Sequence, residues 1–139
     1  MKKLCTIEGW DVWSENDDLE SMRDSGLYKE SFFFCHDPMH PDIERIACFR
    51  LIPFPWNCGV VISVASALDA KIRGQGMSHR FHRIKEQVAK EFGYSAMICT
   101  IDSKNVPQLV GAQKNGWDLV KGFGNKRMGS YNLIGVKVL

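Results

Sequence analysis

The sequence predicts a single α/β (α+β) domain over residues 1–139, with a mixed central sheet flanked by helices. Its length suits one compact domain, and its 45% hydrophobic and 24% charged residues are typical of globular rather than disordered chains. From residue 59 onwards, runs rich in valine and isoleucine alternate with segments of helical period. This order of strand, helix, strand and helix is the basis of the predicted fold class.

The first third of the chain carries weaker signals. Residues 4–7 predict a short strand, and the polar, acidic stretch 11–26 predicts a helix that ends at Gly26. Two apolar runs, Phe32–Cys35 and Ile43–Ile52, predict a hairpin because the residues between them are rich in turn formers.

The clearest helix lies in the second half. Gly59–Leu68 predicts a buried strand, and an amphipathic helix follows it, with Gly93 as its C-terminal stop. The polar residues of this helix, His79, His82 and Lys85 among them, are assigned to its solvated faces. Its apolar residues recur at spacings of 4, 3, 4 and 4: Met77, Phe81, Ile84, Val88 and Phe92.

The remaining elements alternate in the same way. Tyr94–Ile101 predicts a strand, and Asn105–Asn115 predicts a short helix with Pro107 in its first turn, where the missing N–H costs no hydrogen bond. Two further strands, Trp117–Phe123 and Ser130–Leu139, complete the chain.

Residues 69–78, between the buried strand and the amphipathic helix, predict a phosphate site. Gly74 and Gly76 allow a tight turn and the close approach of an anion. The unpaired first-turn N–H groups of the helix and its dipole favour negative charge, and Arg73 adds a cation suited to a pyrophosphate. The loop lacks the Walker A ending, and His79 stands where G-x-G-x-x-G needs a third glycine. On this segment alone, a purely structural turn is an equal alternative.

The segment Arg73–Ser78 resembles the Arg/Gln-x-x-Gly-x-Gly/Ala signature with which the GNAT superfamily of N-acetyltransferases holds the pyrophosphate of acetyl-CoA. A second block, Asn105 followed by Gly116 and Trp117, resembles the family's Asn…Gly-Phe pattern, and the order of elements is also similar. The resemblance covers residues 59–139 well and the N-terminal third only loosely. It implies a GNAT-like, mostly antiparallel sheet, with acetyl-CoA as co-substrate and no metal.

The resemblance also implies which residues contact acetyl-CoA. The strand end 66–68 would pair with the pantetheine arm and direct an amide at the thioester oxygen, which stabilises a developing oxyanion by roughly 3–4 kcal/mol in other enzymes. Three positions depart from the family pattern, and two of them are Ser78, which replaces the last Gly/Ala, and Gln108, which replaces a residue that is usually small. The implied contacts are Ser66, Ala67, Leu68, Arg73, Gly74, Gln75, Gly76, Met77, Ser78, the backbone N–H of His79, and Asn105.

The proton-transferring groups are less well defined. Ala112 stands seven residues after Asn105, where the family usually carries the tyrosine that protonates the departing thiolate. Because a thiolate is a weakly basic leaving group, loss of that acid should slow acetyl transfer without abolishing it. The candidate acids are Ser103, Tyr131 or solvent, and the candidate bases are Glu44, at the start of a predicted strand, and then Asp69.

Several other classes of site are set aside. No apolar run approaches the roughly 18–20 residues of a membrane-spanning helix, and the N-terminus lacks the apolar core of a signal peptide. The five cysteines contain no C-x-x-C pair, so we expect a reduced, cytoplasmic protein without a zinc site or disulfides. The segment Cys35–Asp37 with His40 is interpreted as a solvated hairpin loop rather than a metal site.

The formal charge of +2 is divided unevenly along the chain. Residues 1–57 hold 6 Lys+Arg against 11 Asp+Glu, and residues 58–139 hold 12 against 5, so the two parts carry −5 and +7. The basic part contains the phosphate loop, and the acidic part, including Asp37, Asp42 and Glu44, is expected to attract a cationic acceptor.

The predicted function is transfer of an acetyl group from acetyl-CoA to an amine acceptor, either a small molecule or a protein, by direct attack in a ternary complex. One alternative, motivated by Ala112, is an acyl-CoA-binding or protein-interaction module with little or no catalysis. A nucleic-acid partner is a third and weaker reading, since no nucleic-acid-binding motif accompanies the basic residues. No membrane partner is expected, and a homodimer is left open.

Overall fold

The computed structural model describes residues 1–15, 30–55 and 58–139. Within these ranges the chain forms eight strands and two α-helices. The strands are β1 (Lys2–Ile7), β2 (Trp10–Ser14), β3 (Ser31–His36), β4 (Ala47–Pro53), β5 (Val60–Leu68), β6 (Ala96–Asp102), β7 (Asp118–Asn125) and β8 (Ser130–Val138), and the helices are α1 (Met77–Glu91) and α2 (Val106–Lys114).

The eight described strands form one sheet, in the order β1-β2-β3-β4-β5-β6-β8-β7. Every neighbouring pair is antiparallel except β5 and β6, which are parallel and are joined through α1. This mixed, mostly antiparallel sheet with helices packed against it confirms the predicted fold class.

The N-terminal third differs from the prediction. Residues 11–14, placed in a helix by their polar character, belong to β2 (Trp10–Ser14), in which Trp10, Val12 and Ser14 are buried and the residues between them are half-buried. That alternation of burial is typical of a strand. In the sequence it covers only five residues, too few for its period to be recognised beside the acidic stretch that follows. The rest of the predicted helix, from residue 16 to its end at Gly26, lies outside the described residues.

The strand predicted from Ile43 begins only at Ala47. The N–H of Ile43 donates to the carbonyl of His40 at 3.0 Å, so this residue still belongs to the preceding turn. Glu44 therefore lies in an exposed loop before β4 and not at the start of a strand.

Both helices end where the sequence predicts. At the end of α1, Gly93 has a φ of 85° and its N–H donates to the carbonyl of Lys90, while the N–H of Tyr94 donates to that of Ala89. Gly116 ends α2 with the same pair of hydrogen bonds at a φ of 76°. Glycine is favoured at both positions because the left-handed backbone conformation carries no Cβ penalty there.

The main core lies between α1 and the sheet. Phe33 and Phe49 stack on neighbouring strands with ring centroids 5.1 Å apart, and the Phe81 ring of α1 meets Phe49 edge-on at 5.9 Å. At the surface, Arg83 of α1 makes a bidentate ion pair with Glu8, in the turn between β1 and β2, at 2.8 and 3.0 Å. These contacts fix the position of α1 on the sheet.

Candidate functional site

The sheet opens between its two parallel strands. β5 and β6 are hydrogen-bonded only at their starts, over residues 60–62 and 96–98. Beyond that point β5 stays paired with β4, and β6 stays paired with β8 along its whole length. The two halves of the sheet therefore diverge and leave a V-shaped gap whose walls are unpaired strand edges.

A bulge shapes the β5 side of this gap. In the ladder with β4, Arg50 pairs with Val64 but Cys48 pairs with Ala67, so Ala65 and Ser66 together oppose one residue of β4. Ala65 has a φ of 51°, a left-handed conformation that costs alanine about 1–2 kcal/mol. The bulge re-aims the backbone of the strand end 66–68 relative to the rest of β5.

The loop after β5 leads directly into α1. Asp69 accepts a hydrogen bond from the N–H of Lys71 at 2.9 Å and caps a single 3₁₀ turn, Ala70–Ile72. Arg73 follows, and its Nε donates to the carbonyl of Leu68 at 3.0 Å, which holds the guanidinium over the end of β5. Gly76 is the N-cap of α1, with a φ of 73° and no side-chain capping bond, so the first N–H groups of the helix remain free for a ligand.

These elements surround a cavity of about 600 Å³. Its wall consists of the end of β5, the loop, the first turns of α1 and the N-terminal part of α2. Ten of the eleven predicted acetyl-CoA contacts line it: Ser66, Ala67, Leu68, Arg73, Gly74, Gly76, Met77, Ser78, His79 and Asn105. Gln75 does not line the cavity, and its side chain donates to the carbonyl of Lys71.

Asn105 helps to shape the far wall. Its side chain accepts from the N–H of Gln108 at 3.4 Å and donates to the Gln108 side chain at 2.9 Å, so it caps α2. Gly111, one turn further along α2, lies against α1: a Cβ at this position would be 3.1 Å from both Ser78 Oγ and His82 Cδ2. This close approach of the two helices defines one side of the cavity.

None of the four candidate proton-transfer residues lines the cavity. Glu44 is exposed in its loop, and the Asp69 carboxylate is used in the 3₁₀ cap. Ser103 donates its N–H to the Tyr131 carbonyl, and the Tyr131 side chain, on β8, lies over Gly122. Their assignment as catalytic groups stays a prediction.

Two titratable residues of the cavity wall were missed by the sequence analysis. Lys85 and His82 are only 3% and 1% exposed, although both were assigned to the solvated side of α1. A signal for Lys85 was available, because it stands four residues after Phe81 and three before Val88, on the apolar stripe itself. The prediction placed Lys85 on a solvated face because its side chain is charged, in spite of this spacing.

Burial controls the charge of both groups. It lowers the pKa of Lys85 to about 8, against the opposing influence of Cys99, Glu86 and Cys35. Burial also lowers the pKa of His82 to about 3, and the neighbouring Lys85 charge acts in the same direction. At neutral pH the cavity wall thus contains a neutral imidazole and an ammonium that releases its proton more readily than an exposed lysine.

No known protein-family profile and no curated protein matches this sequence. Solved structures do match in fold. An IAA acetyltransferase from Bacillus cereus ATCC 14579 superposes with a TM-score of 0.71 at 14% identity, over 94% of this chain and 99% of its own. A GNAT-family acetyltransferase from Elizabethkingia anophelis with acetyl-CoA bound gives 0.71 at 14% identity, over 95% and 99%.

A third similar structure is a spermidine N-acetyltransferase chimera from Vibrio cholerae and hSSAT, with a TM-score of 0.68 at 10% identity over 88% of this chain and 75% of its own. The parting of two parallel strands beside a glycine loop and a helix N-terminus places the chain among mixed α+β folds with a split central sheet. Within that class, this chain has the GNAT fold.

Proposed function

We propose that the cavity binds acetyl-CoA and that the protein transfers the acetyl group to an amine. The observation that carries this proposal is the divergence of β5 and β6 beside the N-terminus of α1, with ten of the eleven expected contacts around one cavity. In this arrangement Gly74, Gly76 and the free N–H groups of α1 receive the pyrophosphate, and Arg73 neutralises part of its charge.

The strand end 66–68 supplies the contacts for the pantetheine arm and the thioester. On the side away from β4 this segment faces the gap, because the pairing of β5 with β6 ends at Ile62. The backbone groups that neither β4 nor Arg73 uses can pair with an amide-containing chain. The acceptor nitrogen attacks the thioester carbon, a C–N bond forms and the C–S bond breaks. The acceptor loses one proton and the CoA thiolate gains one. An N–H of the strand end that points at the thioester oxygen would stabilise the intermediate charge.

The acceptor is proposed only as an amine, on a small molecule or a protein. An acyl-CoA-binding module with little catalysis is the second candidate, and Ala112 favours it. This residue is fully buried in the α2 core, so nothing at its position can protonate a thiolate. The candidate bases Glu44 and Asp69 and the candidate acids Ser103 and Tyr131 lie outside the cavity, so they remain predictions for the acetyltransferase.

Calorimetric titration with acetyl-CoA and CoA tests the binding step. Arg73→Gln should weaken binding by about tenfold or more, because hydrogen bonds to charged groups contribute about 1.5–3 kcal/mol. Lys71→Gln is the matched control, since Lys71 is an exposed cation two residues away that does not line the cavity. Absence of any acetyl-CoA binding by the wild-type protein would refute the proposal.

Turnover separates the two candidate functions. Release of free CoA thiol should be followed with a panel of amines that includes a polyamine, a lysine-containing peptide and a peptide with a free N-terminus. Transfer to any of them, verified by the mass of the product, supports the acetyltransferase. Tight acetyl-CoA binding without transfer to any amine supports the binding module.

A further inference from the structure

The cavity wall contains a buried positive charge, Lys85, that has no carboxylate counter-ion among the described residues. Lys85 is 3% exposed, and its Nζ donates to the Ser66 hydroxyl at 3.1 Å. It also lies 4.7 Å from the centroid of the Phe81 ring. No carboxylate of the described residues forms an ion pair with it, because Glu86, its neighbour in sequence, accepts from Trp117 and pairs with Lys137 at 3.7 Å.

The other titratable groups that face Lys85 do not neutralise it. Besides Glu86, the acids of the described residues that act on Lys85 are Cys99 on β6 and Cys35 on β3, and burial raises the pKa of these thiols to about 11 and about 12. His82, on the same helix, is neutral because burial lowers its pKa. An unpaired ammonium in such surroundings is costly unless negative charge comes close to it during the protein's work.

Negative charge arises in the proposed reaction when the C–S bond breaks. Ser66 links Lys85 to the strand end 66–68, where the thioester is expected, and both residues line the cavity. Ala112 cannot supply the proton that the sulfur then needs. The geometry therefore offers one route from a buried ammonium, through a hydroxyl, into the gap between β5 and β6.

We propose that Lys85, acting through the Ser66 hydroxyl, donates the proton to the thiolate that leaves as CoA. This inference rests on the proposed function. In the step, the Ser66 proton passes to sulfur as the C–S bond breaks, the Lys85 ammonium reprotonates the Ser66 oxygen, and Lys85 is left as a neutral amine. The proton released by the acceptor nitrogen restores the ammonium, so the cycle needs no further reactant.

Bound CoA tests the contact without any acceptor. The ultraviolet absorbance of the thiolate, followed against pH, gives the pKa of the CoA thiol on the protein. A nearby ammonium should lower that pKa by about one pH unit or more relative to free CoA. Lys85→Met should abolish the lowering, and Lys90→Met, at an exposed position of the same helix, should retain it.

The variants should remain folded. Methionine has nearly the length of lysine and is at home in a core, so Lys85→Met should keep or raise the melting temperature. Lys85→Arg provides a second test, because it keeps the positive charge but does not release its proton. It should preserve the lowered thiol pKa, while Ser66→Ala interrupts the proposed relay and leaves the ammonium in place.

Kinetics with an accepted amine tests the proton transfer itself. In the wild type, kcat should fall as the pH rises through the pKa of Lys85, and this alkaline limb should be absent from Lys85→Met. We expect kcat to fall about 10–100-fold in Lys85→Met and Ser66→Ala, with the KM for acetyl-CoA little changed.

The failures of the two proposals are distinguishable. A wild-type protein that does not bind CoA refutes the proposed function and this inference together. A protein that binds CoA with the same thiol pKa in wild type and Lys85→Met refutes the inference alone. An unchanged kcat and pH profile in Lys85→Met, in a protein that turns over, also refutes it.

Discussion

At the scale of single residues, the properties of the cavity come from polar side chains that the fold has buried. His82 is a clear case. It is 1% exposed, its ring meets Trp117 at a centroid distance of 5.6 Å, and neither ring nitrogen makes a hydrogen bond of normal geometry within the described residues. Such a side chain is stable in the core only while it is neutral.

His82 should therefore make the protein sensitive to acid. Its pKa is about 3 in the folded protein and 6.5 in an ordinary environment, so the unfolded chain takes up a proton first as the pH falls. The free energy of unfolding should be unaffected above pH 6.5 and should decrease by about 3–5 kcal/mol between pH 6.5 and 3. Urea denaturation at a series of pH values, monitored by circular dichroism, measures this.

His82→Leu should reduce the dependence of the unfolding free energy on pH between 6.5 and 3, because leucine fills a similar volume and does not titrate. His36→Gln is the control, since it replaces a histidine of β3 that is only half-buried. An identical acid sensitivity in His82→Leu would show that other groups are responsible.

At the scale of elements, regular patterns were predictable and irregular ones were not. The α1 stripe repeats over four turns, and Gly93 and Gly116 mark both helix ends, so the sequence is sufficient for these elements. The bulge at Ala65 was not predictable, because alanine has no preference for a positive φ and the bulge arises from pairing with β4.

The same distinction applies to the site. The phosphate loop has local signals, two glycines and an arginine before a helix, and its residues were predicted together. The burial of Lys85 depends on strands far away in sequence, since Cys35 and Cys99 lie on β3 and β6. The place of Lys85 on the apolar stripe indicates burial, but its contact with Ser66 arises from tertiary packing and has no local signal.

The contact between α1 and α2 is tight enough to be tested with one methyl group. In an open helix, Gly→Ala stabilises by about 1 kcal/mol. At Gly111, however, the added Cβ would lie 3.2 Å from the backbone nitrogen of His79 and 3.1 Å from Ser78 Oγ, and a backbone atom cannot rotate away. Gly111→Ala should therefore destabilise the protein by about 1–2 kcal/mol and weaken CoA binding, because α2 must move away from the loop.

Chemical denaturation and CoA titration of the variant measure both effects. Gly124→Ala is the matched control, since no atom lies within 4 Å of a Cβ added there, and it should be close to neutral. A Gly111→Ala protein that is more stable than the wild type would show that α1 and α2 can move apart without loss of free energy of unfolding.

At the scale of the whole molecule, the uneven charge distribution is only partly functional. Asp37 was expected to help attract a cationic acceptor, but it is 2% exposed and its carboxylate accepts from the N–H of Met39 and pairs with His40 at 2.9 Å. It holds the turn after β3. Asp42 and Glu44 are exposed, so they alone of these three can act on an approaching ligand.

Residues 58–139 should attract CoA through the few cations close to the cavity rather than through their total charge of +7. Exposed charges are screened over about 10 Å at 0.1 M salt, so only cations at the cavity should contribute at moderate ionic strength. CoA affinity should therefore fall with rising salt, and dephospho-CoA, which has less negative charge, should show a shallower dependence.

Lys114→Gln should reduce the salt dependence of CoA affinity because Lys114 lines the cavity. Lys121→Gln on β7, outside the cavity wall, should not reduce it. Calorimetry of each variant with CoA and with dephospho-CoA at several salt concentrations tests this. Equal effects of the two variants on the salt dependence would mean that the field of the whole basic half, and not the cavity cations, attracts the cofactor.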